Sequence, residues 1–154
     1  MASLMEYNSY QDSQAEFSIK GLWQLLDGDK QQLNIAYEAV DRHAHQNKVA
    51  IHIAHSDGRD ESISFHDLSS TSSQLAHWLG SLGVKTGDRV GVMVDPSLAF
   101  YAAMFGIIKS GAVAVPMFTL FGIDSLRARV EDSGLKVLVD KQEKNDIAQS
   151  LKDI

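Results

Sequence analysis

The hydrophobic and polar positions form their clearest pattern between residues 87 and 116, where two apolar runs flank an amphipathic segment. Residues 89–94 form a short apolar run without polar alternation, which is typical of a strand covered on both faces. Residues 112–115 form a second such run, and Pro116 should end it because proline has no amide hydrogen to donate. Two strands joined by a helix are expected to be parallel, with a right-handed crossover.

The segment between these two strands has the spacing of a helix with one buried face. Asp95 is expected to cap its start, with Pro96 at the first helical position. Gly111 is expected to end it. The apolar positions recur at steps of three and four residues, at Leu98, Tyr101, Ala102, Phe105 and Ile108.

Upstream, the pattern predicts a helix and then a β-hairpin. Residues 49–54 and 61–63 are apolar runs on either side of Asp57-Gly58, and Asp-Gly between apolar runs favours a hairpin turn. Residues 34–44 fit a helix capped by Asn34. The inner side of that helix would carry Ile35, Ala39 and Val40.

The next helix has a well-specified start, because Ser64 and Asp67 have the spacing of a capping box. Ile63 and Leu68 bracket this cap as a hydrophobic staple. Gly83 is placed to close the helix in a left-handed conformation. The buried stripe would consist of Leu68, Leu75, Ala76, Leu79 and Leu82.

Further along the chain, residues 117–122 are predicted as a loop and residues 124–132 as a helix that ends at Gly134. A third strand is expected at residues 136–139 and a last helix at residues 145–151. The fold class predicted from these elements is α/β. Its parallel sheet is built from strand-helix-strand units and is preceded by a helix and a β-hairpin.

Composition narrows the function classes. The 154 residues have a formal net charge of -6 and no cysteine. The negative charge disfavours nucleic acid and anionic membranes as partners. The start of the chain lacks the basic end and apolar core of a signal peptide or membrane span. A chain without cysteine suits a reducing cytoplasm, where we expect the protein to be found.

Four segments in order resemble the opening of the adenylate-forming acyl-CoA synthetases: residues 34–43, 63–68, 83–90 and 108–116. The second and fourth, ISFHDL and IKSGAVAVP, are similar to the first two core motifs of that family. The first, NIAYEAVDRH, is similar to the lead-in helix of its acetyl-CoA and medium-chain acyl-CoA synthetase branch.

The likeness implies that residues 17–154 are the N-terminal segment of the large domain of such an enzyme, an incomplete N-terminal subdomain. We expect residues 1–16 to be a mobile arm or a remnant of cloning. The full enzyme would join a short- or medium-chain carboxylate to ATP, giving acyl-AMP and pyrophosphate. It would then pass the acyl group to CoA and release AMP, with Mg²⁺ balancing the phosphate charge.

In the family, the ATP-binding loop and the catalytic residues lie in later segments, beyond Ile154. The resemblance therefore implies no catalytic residue and no metal ligand within this chain. The 154-residue polypeptide alone is expected to be inactive and to bind no cofactor tightly. It is also expected to self-associate, because strands that are apolar on both faces need covering.

The best candidate for a binding role is the loop of residues 117–122. Loops that leave the carboxyl ends of parallel strands line the ligand crevice in such sheets. In acetyl-CoA synthetases a matching loop, richer in glycine, lies along the pantetheine tunnel of CoA. The resemblance thus implies a wall of the CoA tunnel at Phe118, Thr119 and Leu120. The alternative interpretation is that Phe118 and Phe121 fill the core.

Other candidate motifs favour structural interpretations. Gly106 and Gly111 have the spacing that begins a phosphate-binding P-loop, but Ala112 and Val113 follow where that motif needs Lys and Ser or Thr. Close packing and a helix end explain these glycines better. The six histidines lack a recognised ligand spacing. The serines of residues 69–73 are predicted on the exposed side of a helix, without a nucleophile elbow.

Two other classes of function stay open on the sequence. One is a free-standing α/β nucleotide-binding module. The other is a protein-interaction module built on the opening of an enzyme.

Overall fold

The computed structural model describes residues 9–141. They fall into two compact units, one ending at Asn34 and the other beginning at Ile35. The helix predicted at residues 145–151 lies outside the described residues.

The first unit contains two short helices, each begun by a serine cap. Helix α1 spans Tyr10–Glu16, and the Ser9 Oγ accepts a hydrogen bond from the Asp12 amide at 3.1 Å. Helix α2 spans Ile19–Trp23, and the Ser18 Oγ accepts from the Gly21 amide at 3.0 Å. Each serine satisfies an amide that lacks a partner within its helix. The mobility of residues 1–16 stays a prediction.

The second unit opens with a helix shorter than predicted. Helix α3 spans Ile35–Ala39 and is followed by a 3-10 turn at Asp41–His43. Val40 lies between them with φ -129° and ψ -61°, which breaks the α-helical path. The predicted inner side was wrong in part: Ile35 is 60% exposed, and Ala36 and Val40 are buried. Residues four apart share one face of a helix, and the buried face is that of Ala36 and Val40, whereas the face of Ile35 and Ala39 is exposed.

The hairpin prediction is confirmed. Strands β1 (Val49–Ala54) and β2 (Asp60–Ser64) pair antiparallel. Gly58 takes the left-handed conformation in the turn, with φ 84°. The Asp57 carboxylate accepts from the Arg59 amide at 3.1 Å and from the Arg59 Nε at 2.7 Å, which fixes the turn.

Helix α4 spans Phe65–Ser81, and its cap is confirmed: the Ser64 Oγ accepts from the Asp67 amide at 3.1 Å. The Ser64 hydroxyl also donates to the Asp67 Oδ2 at 2.6 Å. Gly83 closes the helix with φ 79°, as predicted. The placement of Leu82 in the buried stripe was wrong. It is the C-cap residue and is 52% exposed, because the helix ends one residue before it.

Three parallel strands form the sheet, in the order β4-β3-β5. This confirms the predicted α/β fold. Two helices connect the strands, α5 between β3 and β4, and α6 between β4 and β5. The five elements are β3 Arg89–Met93, α5 Leu98–Lys109, β4 Val113–Pro116, α6 Ile123–Ser133 and β5 Val137–Asp140.

One local prediction in this region was wrong, and another holds for a different reason. Ser97, not Asp95, caps α5: the Ser97 Oγ accepts from the Phe100 amide at 3.2 Å. Pro116 is the last residue of β4, as predicted, although its missing amide hydrogen is not what ends the pairing with β3. It pairs with Val92, and the next amide, of Met117, donates to the Val92 oxygen at 2.8 Å. Because alternate residues bond to the same side, the position without an amide hydrogen faces away from β3.

The central strand β3 is covered on both faces within the second unit. Val90 and Val92 pack against residues of α4 and α5, among them Ala103 and Ile107. The opposite face is covered from α6, where Met93 and Met117 pack with Leu126. Any self-association would therefore involve the edges of the sheet rather than the faces of β3.

Candidate functional site

The carboxyl ends of the three parallel strands lie at one edge of the sheet. Asp95 follows β3, the loop of residues 117–122 follows β4, and Lys141 follows β5. Parallel sheets bind ligands at this edge, because the loops that leave it converge there. We define the carboxyl edge site as Asp95, residues 117–122 and Lys141.

Asp95 connects the three chain segments of the carboxyl edge site. Thr119 Oγ1 donates to Asp95 Oδ1 at 2.7 Å, and Lys141 Nζ donates to Asp95 Oδ2 at 2.8 Å. The Asp95 side chain is 54% exposed and the Lys141 side chain is 44% exposed, so solvent screens their ion pair. The hydroxyl and the ammonium each contact a different oxygen of one carboxylate.

The structure brings the predicted residues Phe118, Thr119 and Leu120 to this edge. Thr119 contacts Asp95. Phe118 and Leu120 on either side of it are 59% and 79% exposed. The core interpretation is therefore wrong for Phe118. A role of these three residues in CoA binding stays a prediction.

Phe121 anchors the far side of the loop. Its ring contacts Phe118 edge to face, with centroids 5.8 Å apart, and packs against the cluster of Met93, Met117 and Leu126. The guanidinium carbon of Arg129 lies 4.0 Å from the Phe121 ring centroid, a cation-π contact. Phe121 thus joins the loop to α6, as the core interpretation expected of it.

Sequence reasoning missed Asp95 and Lys141 as parts of this site. Asp95 was interpreted as a helix cap, a role that Ser97 fills. A signal was present, because a polar residue directly after each predicted parallel strand lies at the ligand-binding edge. The contact between them joins residues 46 positions apart, which no local pattern reveals.

A second polar cluster lies between α4 and α5. The Lys109 Nζ lies 2.6 Å from the Asp41 Oδ1 and donates to the Ser69 main-chain oxygen and the Ser73 Oγ, both at 2.9 Å. The Ser69 hydroxyl donates to the same Asp41 oxygen at 2.6 Å. The Lys109 side chain is only 10% exposed. This cluster joins α4 and α5 to the 3-10 turn.

The prediction that the serines of residues 69–73 lie on the exposed side of the helix was wrong in part, because Ser70 is exposed but Ser72 is buried and Ser69 and Ser73 are half-buried. Ser72 is fully buried, and its hydroxyl donates to the Leu68 oxygen at 2.6 Å. Ser69 and Ser73 contact Lys109. The hydroxyls of Ser72 and Ser73 donate to main-chain oxygens of α4 itself, and the Ser69 hydroxyl donates to Asp41 in the 3-10 turn.

At the opposite edge of the sheet, Asp88 connects β3 to β5. The Lys136 Nζ donates to the Asp88 Oδ2 at 2.8 Å, and the Lys85 amide donates to the same oxygen at 2.7 Å. The hydrogen bond from Lys136 is the largest cause that lowers the pKa of Asp88 below its ordinary value, and the Lys85 amide comes second. Both donors stabilise the ionised carboxylate.

The glycine pair of the rejected P-loop has the structural roles predicted for it. Gly106 lies within α5 against α4, and Gly111 closes α5 with φ 75°. Among the histidines, His52 Nδ1 lies 2.9 Å from Ser62 Oγ, and the His43 ring contacts Phe65 with centroids 5.3 Å apart. Within residues 9–141 no three histidine or acidic side chains are grouped to hold a metal ion.

Comparison with known proteins identifies the family. A model of the family described as AMP-binding enzyme matches residues 38–154. The chain belongs to the AMP-binding enzyme family. An acetyl-coenzyme A synthetase of Bacillus subtilis is 40% identical over 111 residues, which cover 70% of this chain and 19% of that protein. An acetyl-coenzyme A synthetase 2 of Kluyveromyces lactis is 36% identical over 111 residues, which cover 70% of this chain and 16% of that protein.

Solved structures agree with this membership. The acyl-CoA synthetase of Brucella canis superposes with a TM-score of 0.85 and 26% identity, over 96% of this chain and 27% of that chain. This chain thus spans less than a third of the Brucella canis enzyme and about a fifth of the acetyl-coenzyme A synthetase of Bacillus subtilis. The resemblance of the four segments to the adenylate-forming acyl-CoA synthetases is confirmed. Helices of the membrane-crossing kind, long and apolar, do not occur within residues 9–141.

Proposed function

We propose that this chain is the N-terminal scaffold segment of an ATP-dependent acyl-CoA synthetase. The complete enzyme would join a carboxylate to ATP, giving acyl-AMP and pyrophosphate, and then transfer the acyl group to CoA with release of AMP. The family match over residues 38–154 carries this proposal. The acetyl-coenzyme A synthetase relatives support a short- or medium-chain carboxylate as the substrate. We place the enzyme in the cytoplasm.

The chemistry of the first step lies outside the described residues. Mg²⁺ would balance the charge of the ATP phosphates. No group of acidic or histidine side chains within residues 9–141 is arranged to hold it. We therefore assign ATP, Mg²⁺ and the catalytic residues to the remainder of the synthetase, and none of them to this scaffold.

The contribution of this chain to binding is one wall of the CoA tunnel, formed by Phe118, Thr119 and Leu120. Exposed apolar side chains at the carboxyl edge support this assignment, since the pantetheine arm of CoA is a long chain whose methyl and methylene groups can pack against them. Phe118 and Leu120 would pack against that arm, while the Thr119 hydroxyl is held by Asp95.

Pyrophosphate exchange tests the proposal. The 154-residue polypeptide should show no carboxylate-dependent exchange of pyrophosphate into ATP. The protein translated from the gene past the codon of Ile154 should show it with acetate or a medium-chain acid. Exchange by the 154-residue polypeptide itself would contradict the scaffold role. Absence of exchange and of acyl-CoA formation from the longer protein with every acid would contradict the synthetase.

Calorimetry separates the other two classes of function. A free-standing nucleotide-binding module would give a binding isotherm for ATP, AMP or CoA with the 154-residue polypeptide. The scaffold should give none at micromolar concentrations. An interaction module would instead remain a stable monomer and bind a protein partner.

The isolated 154-residue polypeptide self-associates under this proposal. Within residues 9–141, β4 is an edge strand with no strand paired on its outer side, and Val113 on this strand is 48% exposed. Such an edge is a template for pairing with another strand. Sedimentation velocity should show a dimer or larger species as the concentration rises. A monomer at all concentrations would contradict self-association.

A further inference from the structure

We propose that Asp95 is the positioning residue of the loop of residues 117–122: it holds the loop so that Phe118 and Leu120 face outward from the sheet. The assignment of CoA as the ligand of these side chains rests on the proposed function, but the positioning of the loop by Asp95 does not. Asp95 belongs to no motif of the four segments that resemble the synthetases.

The location of Asp95 suits this role. It follows the central strand β3, whose residues Val92 and Met93 are buried, so its backbone is fixed by the core. Its two carboxylate oxygens point to different neighbours, Thr119 after β4 at 2.7 Å and Lys141 after β5 at 2.8 Å. A residue after an edge strand would have only one neighbouring strand end within reach.

The contact falls within a tight turn of the loop. The Phe121 amide donates to the Phe118 oxygen at 3.2 Å, which closes a four-residue turn with Thr119 at its second position. On one side, the Met117 amide donates to the Val92 oxygen at 2.8 Å. On the other side, the Phe121 ring packs against the core. The contact of Thr119 with Asp95 lies between these two anchors.

The contact also fixes which side chains are outward. Thr119 bonds toward the sheet, and the residues before and after it are exposed by 59% and 79%. Single apolar side chains are common on protein surfaces, whereas neighbouring exposed ones mark a surface that can bind a ligand. A turn that rotated would bury Phe118 or Leu120 and remove the apolar surface from the edge.

Hydrogen exchange of the main-chain amides in the full 154-residue chain tests the positioning of the loop directly. Asp95→Ala and Thr119→Val should each speed hydrogen exchange of the Phe121 amide by about tenfold, because one hydrogen bond to a charged group is lost. The Met117 amide reports on the strand and should keep its wild-type rate within about twofold. The control is Asp60→Asn, which removes one negative charge from the hairpin strand β2 and should change neither rate.

Each result of this experiment decides the proposal. Equal acceleration at Met117 and Phe121 would mean that Asp95 only stabilises the whole sheet, which would overturn it. Unchanged exchange at Phe121 in Asp95→Ala would overturn it too. A rate in the double variant Asp95→Ala/Thr119→Val equal to that of either single variant would confirm that the two residues act through one contact.

The complete synthetase provides the functional readout. Thr119→Val and Asp95→Ala should raise the KM for CoA by about tenfold, a larger effect than on the rate of pyrophosphate exchange, which precedes CoA binding. Equal loss in both half-reactions would contradict a positioning role at the CoA site. If the wild-type enzyme formed no acyl-CoA, the proposed function would fail. The hydrogen-exchange result at the Phe121 amide would still test the positioning role of Asp95.

Discussion

The main-chain oxygen of Ser72 on α4 faces Gly106 on α5 so closely that a Cβ on residue 106 would lie 2.7 Å from it. Side-chain atoms of Leu75 would lie 3.0 Å from the same Cβ. Ser72 itself is fully buried, with its hydroxyl bonded to the Leu68 oxygen. The two helices therefore approach each other backbone to backbone at this point, and only glycine allows it.

Replacing Gly106 with alanine should destabilise the protein. The new methyl group would meet a main-chain atom, which cannot move aside without shifting a helix. We expect the free energy of unfolding to fall by about 2 kcal/mol, the usual cost of overpacking. Urea denaturation followed by circular dichroism measures it.

Gly80 provides the matched control, since it lies in α4 with nothing within 4 Å of the position of its Cβ. Gly80→Ala should stabilise the protein by about 0.5–1 kcal/mol, because alanine favours a helix over glycine. A stabilising Gly106→Ala would show that the two helices pack more loosely than in the structure.

Much of this fold could be predicted because its signals are local. Ser64 with Asp67, Asp57 with Gly58, and Gly83 after α4 each act within a few residues, through a cap or a positive φ. Two of these signals, the cap at Ser64 and the turn at Gly83, lie within the segments that carry the family resemblance. Turns and caps can therefore be predicted from neighbouring residues, without knowledge of contacts between elements.

The features that sequence reasoning missed depend on contacts between distant parts of the chain. Thr119 and Asp95 are 24 positions apart, and Lys109 and Ser69 are 40 positions apart. Ser72 seemed suited to an exposed face by its chemistry, but a serine that bonds its own helix can be buried. Periodicity gives the direction of a face, and packing decides which residues end up inside it.

Lys109→Met should destabilise the protein more than a surface ion pair would. The substitution removes the ammonium and leaves the Asp41 carboxylate, which is 26% exposed, with fewer partners. Removing one partner of a largely buried pair leaves an uncompensated charge, and we expect a loss of about 2–3 kcal/mol. Thermal and urea unfolding measure it.

Lys136→Met is the control for this prediction. Lys136 also pairs with a carboxylate, Asp88, but the Lys136 side chain is 52% exposed, and Asp88, which is 14% exposed, would keep the hydrogen bond from the Lys85 amide. Pairs that solvent screens contribute less than about 1 kcal/mol. Equal losses in the two variants would indicate that the cluster around Lys109 is open to water.

The Asp67 carboxyl predicts a pH-dependent stability. The Ser64 hydroxyl is the largest cause that lowers the pKa of Asp67 below the ordinary 3.8. A carboxyl with a lowered pKa in the folded state stabilises it above the ordinary pKa, and this contribution is lost as the pH falls through the folded value. Ser64→Ala should therefore cost stability at about pH 6 and less at about pH 2.

Two variants bracket this effect. At neutral pH, loss of the cap serine should lower the free energy of unfolding by about 1 kcal/mol. Ser64→Thr keeps a hydroxyl and should restore most of the stability and its pH dependence. Ser70→Ala removes an exposed hydroxyl from the same helix and should change neither the free energy of unfolding nor its pH dependence. A pH-independent cost in Ser64→Ala would contradict the contact between the Ser64 hydroxyl and the carboxylate.

Phe118→Ser tests the proposed wall of the CoA tunnel in the complete synthetase. Phe118 is 59% exposed and its ring contacts Phe121 edge to face, so its replacement should lower the free energy of unfolding by about 1 kcal/mol at most. Burial of its ring by the pantetheine arm would contribute about 1.5 kcal/mol, which predicts a KM for CoA about tenfold higher. The KM for the carboxylate should stay unchanged. Leu82→Ser is the matched control, because Leu82 is 52% exposed at the end of α4, which leads to the amino end of the sheet. A KM for CoA that responds equally to both substitutions, or to neither, would remove the loop from the CoA site.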